Sequence, residues 1–423
     1  MSAEVTLTRP GYVRVPADLD AVTTIDAGRE VYPPDLGVTR GAASLIWDAA
    51  RDLYRTGVYP ALSLCIRRRG QILLNRSLGH ARGNAPNDPV DAPKVLATPD
   101  TPFCIYSASK AVTAMAIHLL DDQGLLHVDD RICEYIPEFA RHGKEWATIR
   151  HVLTHRAGIP TVAGAGAPSL EQLEDWPGLI EMLCDARPVA VPGRRLAYHA
   201  ITGGFLLGEI VHRVTGRDLR QFLADEVLDP LGFRGMNYGT TAEGLQTLAH
   251  SARTGPQVPF PLTLVVNRAF GVSMDEAVDL TNHPTYLTGL VPSGNIVATA
   301  DEASRFFQLL LNNGELDGVR VFDERTVRRA VTETAYHEMD FTLGFPVRYG
   351  VGFMLGSKRL SMFGPRTPRA FGHLGFINIF VYADPDRDLA VAIMTSGKPA
   401  LSPHLLPLWK LLRAISAGCP PRR

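Results

Sequence analysis

The chain has 423 residues, of which 45% are hydrophobic and 21% charged, so it can bury a large core as one domain or two interleaved ones. Its 43 basic and 44 acidic residues leave a formal net charge of −1. This balance argues against electrostatic capture of nucleic acid or of an anionic membrane, and it favours a small, roughly neutral ligand.

The N-terminal segment and the cysteines indicate where the chain works. The first twenty residues contain no apolar run behind a basic start, so we expect no secretory signal and a cytoplasmic protein. No stretch reaches the roughly 18 to 20 apolar residues of a membrane-spanning helix. The five cysteines are scattered without CxxC spacing, which favours buried thiols over disulfides or a structural zinc site.

The elements near both ends of the chain predict one antiparallel sheet. A polar, proline-rich arm is followed by a helix over 40–56, whose apolar face is formed by Leu45, Ile46, Ala49 and Leu53. Two strands joined at Arg69-Gly70 then form a hairpin. Their partners come from the other end of the chain, where strands over 348–355, 377–385 and 389–396 precede a helix over 402–415.

Helical patterns fill the middle of the chain. They cover 108–123, 149–155, 170–185, 202–215, 218–229 and 300–313. We therefore predict an α+β fold in which helices are inserted into a sheet domain. The expected parts are an N-terminal arm over 1–37, a discontinuous sheet domain over 38–115 and 286–423, and an inserted helical domain over 116–285. A cleft between sheet and helices is the expected place for the site.

The spacing of Ser107 and Lys110 is the first chemical signal. The two residues lie three apart at the start of an apolar helix, which stacks their side chains on one face, and no other serine has a lysine three residues later. Burial of this lysine lowers its pKa below the roughly 10.4 of a free side chain, toward a usable base. The helix N-terminus also favours developing negative charge. Ser107 is the candidate nucleophile and Lys110 its partner.

Several ordered blocks resemble the serine β-lactamase and penicillin-binding-protein-like superfamily, in its class C and family VIII carboxylesterase branch. The Ser-x-x-Lys element is followed by a His-x-x-Gly turn at His155 and Gly158. Later blocks cover 192–216, 293–318 and 371–397, so the resemblance extends from about residue 40 to 415. It implies the fold of that superfamily and an acyl-enzyme formed on Ser107.

The resemblance also assigns Tyr198 and Ala200. Tyr198 falls at the tyrosine of the Tyr-x-Asn or Tyr-x-Ser element, whose phenol moves protons between the nucleophile, the lysine and the leaving group. Ala200 stands at the third position of that element, where a side chain that usually helps to hold the lysine and an amide substrate is absent. Ser107, Lys110 and Tyr198 are thus the predicted catalytic residues, and amide substrates become less favoured.

A second departure from the family lies near the C-terminus. The triplet beginning at His373 and ending at Gly375 stands in place of the Lys-Thr-Gly of β-lactamases, so the groups that grip a penicillin carboxylate are replaced. We expect His373, Gly375 and Ala200 to contact substrate. The backbone N–H groups of Ser107 and Phe376 form the expected oxyanion hole.

The sequence therefore predicts an acyl-serine hydrolase that needs neither metal nor organic cofactor. The preferred substrate is a small carboxylic ester with a short or medium acyl chain. A β-lactamase, a D-amino-acid peptidase or an acyltransferase with the same acyl-serine is the alternative among enzymes, and a catalytically silent penicillin-binding-like module is the alternative outside them. Motifs of α/β-hydrolases, zinc peptidases, P-loop proteins and dinucleotide-binding proteins are absent. Oligomeric state is not indicated.

Overall fold

A ten-stranded antiparallel sheet forms the centre of the fold, in a computed structural model that describes residues 9–161, 168–257, 260, 263, 272–376, 378–400 and 404–422. Nine strands follow one another in the order Thr23–Ile25, Gln71–Arg82, Ala61–Arg68, Leu389–Thr395, Ile379–Asp384, Phe371–Gly375, Met354–Leu355, Pro346–Tyr349 and Ala335–Met339. The tenth, Val95–Leu96, pairs with Gln71–Arg82. The α+β fold is confirmed.

The two ends of the chain meet in the middle of this sheet. Strand Ala61–Arg68 pairs along its length with Leu389–Thr395, with Cys65 opposite Ala392. Every residue of Leu389–Thr395 is buried, which is the pattern of a strand covered on both faces. The sheet therefore separates two apolar cores, one under the terminal helices and one under the inserted helices.

The terminal helices Arg40–Arg55 and Leu405–Gly418 pack against each other on one face of the sheet. The Thr39 hydroxyl caps the first of them by accepting from the Ala42 N–H at 3.1 Å. The prediction that Leu45 faces the core is wrong, since Leu45 is 65% exposed. The face that packs is rotated, and it consists of Ala43, Ile46, Trp47, Ala50, Leu53 and Tyr54. The predicted helix start at Ser402 lies outside the described residues.

Helices lie on the other side of the sheet, where Ala300–Leu311 and Ser109–Asp122 pack directly on its strands and further helices pack around them. Their bounds are Ser109–Asp122, Ile132–Tyr135, Ile149–Leu153, Leu170–Glu174, Trp176–Asp185, Thr202–Thr215, Leu219–Leu223, Met274–Asn282, Pro284–Thr288, Ala300–Leu311 and Glu324–Ala330. The predicted helix over 170–185 is two helices that meet at Asp175, because Pro177 is accepted only in the first turn of a new helix. The Asp175 carboxylate caps this second helix by accepting from the Gly178 N–H at 3.0 Å.

Short strands complete the structure between these layers. Phe103–Cys104, Ile296–Ala298 and Asn237–Tyr238 form a three-stranded sheet, Gly397–Pro399 pairs with Ala252–Thr254, and Glu315–Leu316 pairs with Val319–Arg320. The first of these sheets holds the segment before Ser107, and the Ile105 N–H extends it by donating to the Ile296 carbonyl at 2.8 Å. No helix within the described ranges has the length and apolar character needed to cross a membrane.

One strand prediction changes where helix Ser109–Asp122 meets the sheet. The predicted strand over 348–355 is interrupted between Tyr349 and Met354, and Gly352 adopts a φ of +107° there. A Cβ on Gly352 would lie 2.3 Å from the Cβ of Ala114, so the interruption lets helix Ser109–Asp122 approach the sheet closely. The predicted surface arm also contributes a strand, Thr23–Ile25, to the sheet edge.

Candidate active site

Ser107 lies in a tight turn that leads into helix Ser109–Asp122. Tyr106, just before it, has a φ of +49°, a left-handed conformation that a residue with a side chain seldom adopts. Tyr106 and Ser107 belong to a 3-10 turn over Tyr106–Ala108, and the helix that follows is buried on all sides from Ser109 to Leu120. The turn is therefore anchored in the core while Ser107 itself stays partly accessible.

Lys110 is placed against the Ser107 hydroxyl. Its Nζ lies 3.1 Å from Ser107 Oγ, 2.7 Å from the carbonyl oxygen of Ala200 and 2.9 Å from that of Ser293. Burial lowers the pKa of Lys110 to about 7, because the ammonium ion loses its hydration. A neutral amine can donate its two N–H bonds to the two carbonyls, which directs its lone pair at the serine hydroxyl.

Tyr198 completes the group from the other side. Lys110 Nζ lies 5.0 Å from the centre of its ring, and Tyr198 and Ser107 line the same cavity. Burial raises the pKa of Tyr198 well above its ordinary value, and the nearby Ser107 side chain opposes only part of that shift. The phenol therefore keeps its proton at neutral pH and is suited to relaying protons.

Three buried histidines pack around Tyr198 and carry no charge at neutral pH. The ring of His155 lies 4.6 Å from that of Tyr198 and stacks on His199, and the ring of His373 lies 6.1 Å from Tyr198. Burial, with a smaller contribution from nearby Lys110, lowers the pKa of His199 to about 4 and that of His373 to about 3. Ser107, Lys110 and Tyr198 thus lie beside neutral, poorly solvated imidazole rings.

Of the three residues predicted to contact substrate, one lines the cavity at Ser107, one packs against the Ser107 turn and one is buried. Ala200 lines the cavity beside Ser107, and its carbonyl holds Lys110. Gly375 faces the Ser107 turn, since a Cβ there would lie 2.2 Å from the Ile105 carbonyl oxygen. His373 is only 1% exposed, with Nδ1 2.7 Å from the carbonyl oxygen of Leu374. The buried ring packs beside Tyr198. Contact of His373 with substrate stays a prediction.

The predicted oxyanion hole lies at the same cavity. Ser107 and Phe376 both line it, and the Phe376 ring meets the Tyr106 ring edge-on at 5.2 Å. Behind these rings lies Lys398, which is fully buried and whose Nζ lies 4.6 Å from the centre of the Tyr106 ring. The two backbone segments that carry the predicted donors are thus packed against one another.

Sequence reasoning missed Ser293. Its carbonyl accepts from Lys110, while its hydroxyl donates to the Ile201 carbonyl at 2.9 Å and accepts from the Gly204 N–H at 3.0 Å. Ser293 thus connects the Lys110 amine to the start of helix Thr202–Thr215. A Pro-Ser-Gly-Asn turn directly before a buried strand was the available signal, but it does not indicate which turn atoms meet a lysine.

The cavity at Ser107 is small and apolar. It measures about 140 Å³, and the described residues that line it are Tyr106, Ser107, Tyr198, Ala200, Ile201, Val272, Ala277, Leu280, Thr281, Tyr286, Ser293, Gly294, Leu343 and Phe376. This described lining includes no lysine, arginine or histidine. Across the described part of the chain, no cluster of three or more His, Cys, Asp or Glu side chains is arranged to hold a metal ion.

A serine that faces a buried lysine and a tyrosine, between an antiparallel sheet and a helical layer, is the arrangement of a serine hydrolase of the penicillin-binding type. Comparison of the sequence with known families agrees with this class. The chain belongs to the Beta-lactamase family, whose pattern matches residues 48–412. The superfamily resemblance seen in the sequence is therefore confirmed.

Individual relatives are similar over most of the chain. Esterase/beta-lactamase LipL of Mycobacterium tuberculosis is 27% identical over 315 residues, which cover 70% of this chain and 69% of LipL. N-acetylmuramyl-L-alanine amidase of Bacillus subtilis is 25% identical over 369 residues, which cover 82% of this chain and 79% of the amidase. One relative is named an esterase and β-lactamase and the other an amidase, so the two names do not decide the substrate of this protein.

Solved structures share the fold. A penicillin-binding-protein homologue from Caulobacter crescentus has a TM-score of 0.74 at 25% identity, covering 90% of this chain and 98% of its own. A family VIII carboxylesterase also has a TM-score of 0.74, at 24% identity, covering 89% of this chain and 98% of its own. Because these structures cover about nine-tenths of the chain, the similarity includes both the sheet and the helices.

Proposed function

We propose that this protein is an esterase that hydrolyses small carboxylic esters with short acyl chains through an acyl-enzyme on Ser107. The observation that supports this most directly is the environment of Lys110. Its Nζ lies 3.1 Å from Ser107 Oγ, while the carbonyls of Ala200 and Ser293 occupy its other side. The amine is oriented as a base for the hydroxyl, and burial keeps a large fraction of it neutral near pH 7.

The chemical steps follow from this arrangement. Lys110 takes the Ser107 proton, directly or through the Tyr198 hydroxyl, and Ser107 Oγ bonds to the ester carbonyl carbon. The N–H groups of Ser107 and Phe376 stabilise the resulting oxyanion. Collapse breaks the bond to the alcohol oxygen, which leaves with the proton relayed by Tyr198. Water then attacks the acyl-enzyme with the same base, releasing the carboxylic acid and restoring Ser107.

The size of the cavity supports a short acyl chain. At about 140 Å³ it is smaller than the roughly 300 to 1,000 Å³ of pockets that bury drug-sized ligands. Its described walls include the apolar side chains Ile201, Leu280 and Leu343, which offer a transferred acyl group dispersion contacts and burial. We expect acetyl to hexanoyl esters to be preferred over long-chain esters.

The charge of the cavity argues against β-lactams and D-peptides, which carry a carboxylate. None of the described lining residues is cationic, and His373, at the position of the family's lysine, is buried and neutral. A carboxylate bound there would lose hydration without a charged partner. Neutral esters do not meet this penalty.

Chromogenic substrates test the proposal. We expect hydrolysis of p-nitrophenyl butyrate with kcat/KM at least about 100-fold above that for a chromogenic cephalosporin, and loss of turnover in Ser107→Ala. A preference for the cephalosporin contradicts the ester assignment. Labelling of intact protein with a fluorophosphonate, read by mass spectrometry, tests the acyl-serine mechanism separately. Absence of label on Ser107 favours the catalytically silent alternative.

A further inference from the structure

Asp340 is a buried carboxyl group that touches the Tyr198 segment from a distant part of the chain. It follows the edge strand Ala335–Met339 and is fully buried. One oxygen, Oδ1, accepts three backbone N–H bonds: from Tyr198 at 3.1 Å, from Thr342 at 2.9 Å and from Leu343 at 3.0 Å. A single atom therefore connects the tyrosine to the turn after this edge strand.

The backbone on both sides of Tyr198 is held in the same way. The Phe341 N–H donates to the Leu196 carbonyl at 3.0 Å, next to the Asp340 bond. On the opposite side, His155 accepts from the Ala197 N–H through its carbonyl at 3.0 Å and from the His199 N–H through Nδ1 at 3.2 Å. The one N–H of Tyr198 itself is bound by Asp340, so this carboxyl group limits rotation of the peptide that carries the phenol.

The same oxygen also fixes a wall of the cavity. Leu343 donates its N–H to Asp340 Oδ1, and its side chain lines the cavity together with Tyr198 and Ser107. The Gly344 N–H closes the turn by donating to the Asp340 carbonyl at 2.8 Å. A shift of Asp340 would therefore move both a proton-handling residue and an apolar wall.

Burying this group has a cost that packing alone does not explain. Its second oxygen, Oδ2, has no hydrogen-bond partner among the described residues. Burial raises the pKa of Asp340, and the three N–H bonds counter only part of that shift. A buried polar atom without a partner is destabilising and is retained where it serves another purpose.

We propose that Asp340 is a positioning residue for the reaction, which holds the Tyr198 phenol at Ser107 and sets the acyl-chain preference through Leu343. The proposal rests on the proposed acyl-serine function. It predicts that losing the Oδ1 acceptor slows acylation and changes the order of preference among acyl chains in protein that remains folded. A purely structural role predicts a change in stability with neither effect.

The test compares Asp340→Ala with Asp340→Asn, since the amide oxygen of asparagine can still accept the three N–H bonds. We expect Asp340→Ala to lower kcat for p-nitrophenyl butyrate about tenfold or more and to alter the ratio of acetate to hexanoate kcat/KM. Asp340→Asn should retain kcat within about threefold of the original protein, because the bonds persist. Folded fractions are measured by circular dichroism and used to normalise every rate.

Asp384→Asn is the matched control, because Asp384 is equally buried but pairs with Arg387 away from the cavity. It should lower stability without changing the acyl-chain ratio.

Unchanged kcat and chain preference in folded Asp340→Ala overturn the proposal. A loss of activity in Asp340→Asn equal to that in Asp340→Ala overturns it as well. If Asp340→Ala does not fold, Asp340→Glu replaces it, since the longer side chain displaces the acceptor, and wild-type kcat in that variant overturns the proposal.

The rate of Ser107 labelling by a fluorophosphonate is measured for all variants in parallel. It reports acylation without requiring an ester to be the natural substrate. A protein that is labelled but hydrolyses no ester contradicts the proposed function, while the labelling rates still decide the role of Asp340. A slower rate in Asp340→Ala that Asp340→Asn restores supports it, and equal rates in all variants overturn it.

Discussion

At the scale of single residues, the contacts that replace water around Lys110 determine whether its amine is neutral. Two backbone carbonyls, from Ala200 and Ser293, contact its Nζ, and no carboxylate among the described residues is paired with it in an ion pair. Carbonyl dipoles satisfy the N–H bonds of an amine without adding the charge that would favour an ammonium ion. Burial therefore dominates the pKa shift of this lysine. At Ala200 the backbone carbonyl, and not a side chain, holds Lys110.

The first prediction concerns pH. Burial lowers the pKa of Lys110 to about 7, and the neutral amine is the base in the proposed mechanism, so kcat/KM for a neutral ester should rise with pH through a midpoint near 7 and then level off. Below the midpoint the charged lysine cannot accept the serine proton, so activity falls about tenfold per pH unit. A pH series with p-nitrophenyl butyrate, corrected for spontaneous hydrolysis, measures the midpoint.

Lys398 provides the control for this assignment. It is a second buried lysine, and burial lowers its pKa to about 7 as well. If Lys110 causes the pH dependence, Lys398→Met keeps the midpoint near 7 whatever its overall rate. If the midpoint disappears in Lys398→Met, the pH dependence belongs to Lys398 and the assignment to Lys110 is contradicted.

At the scale of elements, the N-terminal arm is joined to the sheet by one partly buried ion pair. Glu30 accepts from Arg76 Nε at 2.7 Å and Nη2 at 2.6 Å, and from the Asn75 N–H at 2.9 Å. The side chain of Glu30 is 12% exposed. Bidentate, charge-assisted bonds of this kind are stronger than ordinary surface pairs. They supplement the short pairing of Thr23–Ile25 with Gln71–Arg82.

The second prediction follows from this attachment. Glu30→Gln removes the charge from three hydrogen bonds and should lower the free energy of unfolding by about 1 to 3 kcal/mol. Thermal unfolding measures the loss, and faster amide exchange at Thr23–Ile25 localises it. Asp52→Asn is the matched control, since Asp52 and Arg55 are 60% and 50% exposed and their pair should contribute less than about 1 kcal/mol. Equal losses in both variants would contradict the argument.

At the scale of the whole molecule, one buried arginine ties together the two ends of the chain. Arg68 is 3% exposed, and its guanidinium donates to the carbonyls of Leu36 at 3.2 Å, Arg387 at 2.7 Å and Pro420 at 3.0 Å. These carbonyls belong to the arm, to the turn before strand Leu389–Thr395 and to the C-terminal tail. Arg68 therefore connects the N-terminal arm, the end of the sheet and the C-terminal tail below the terminal helices.

The third prediction is that Arg68→Met destabilises the protein without changing its chemistry. The three carbonyls lose their donor, so we expect the free energy of unfolding to fall by about 2 to 4 kcal/mol, partly offset because a charge no longer has to be buried. Thermal unfolding measures this change. The kcat of the folded fraction should match the original protein, since Arg68 is not among the described residues lining the cavity. A changed acyl-chain preference would contradict this separation.

Local patterns in the sequence predict much of the fold and the core of the site. Apolar periodicity predicts the hairpin at Arg69-Gly70 and helix Thr202–Thr215, whose bounds match those expected. Periodicity does not reveal where a tertiary contact interrupts an element. The break between Tyr349 and Met354 depends on the approach of Ala114, and the exposure of Leu45 depends on how the helix is rotated against the sheet.

What the sequence by itself determined is that Ser107 and Lys110 lie side by side, because residues three apart on a helix share a face whatever surrounds them. Only the tertiary structure decided how Lys110 is held, since its two carbonyl partners lie 90 and 183 residues away. It also placed Asp340 on the Tyr198 N–H across a separation of 142 residues. The apolar helix after Ser107 already predicted that Lys110 is buried, but the hydrogen-bond partners of Lys110 and Tyr198 are distant in the chain and have no local signature.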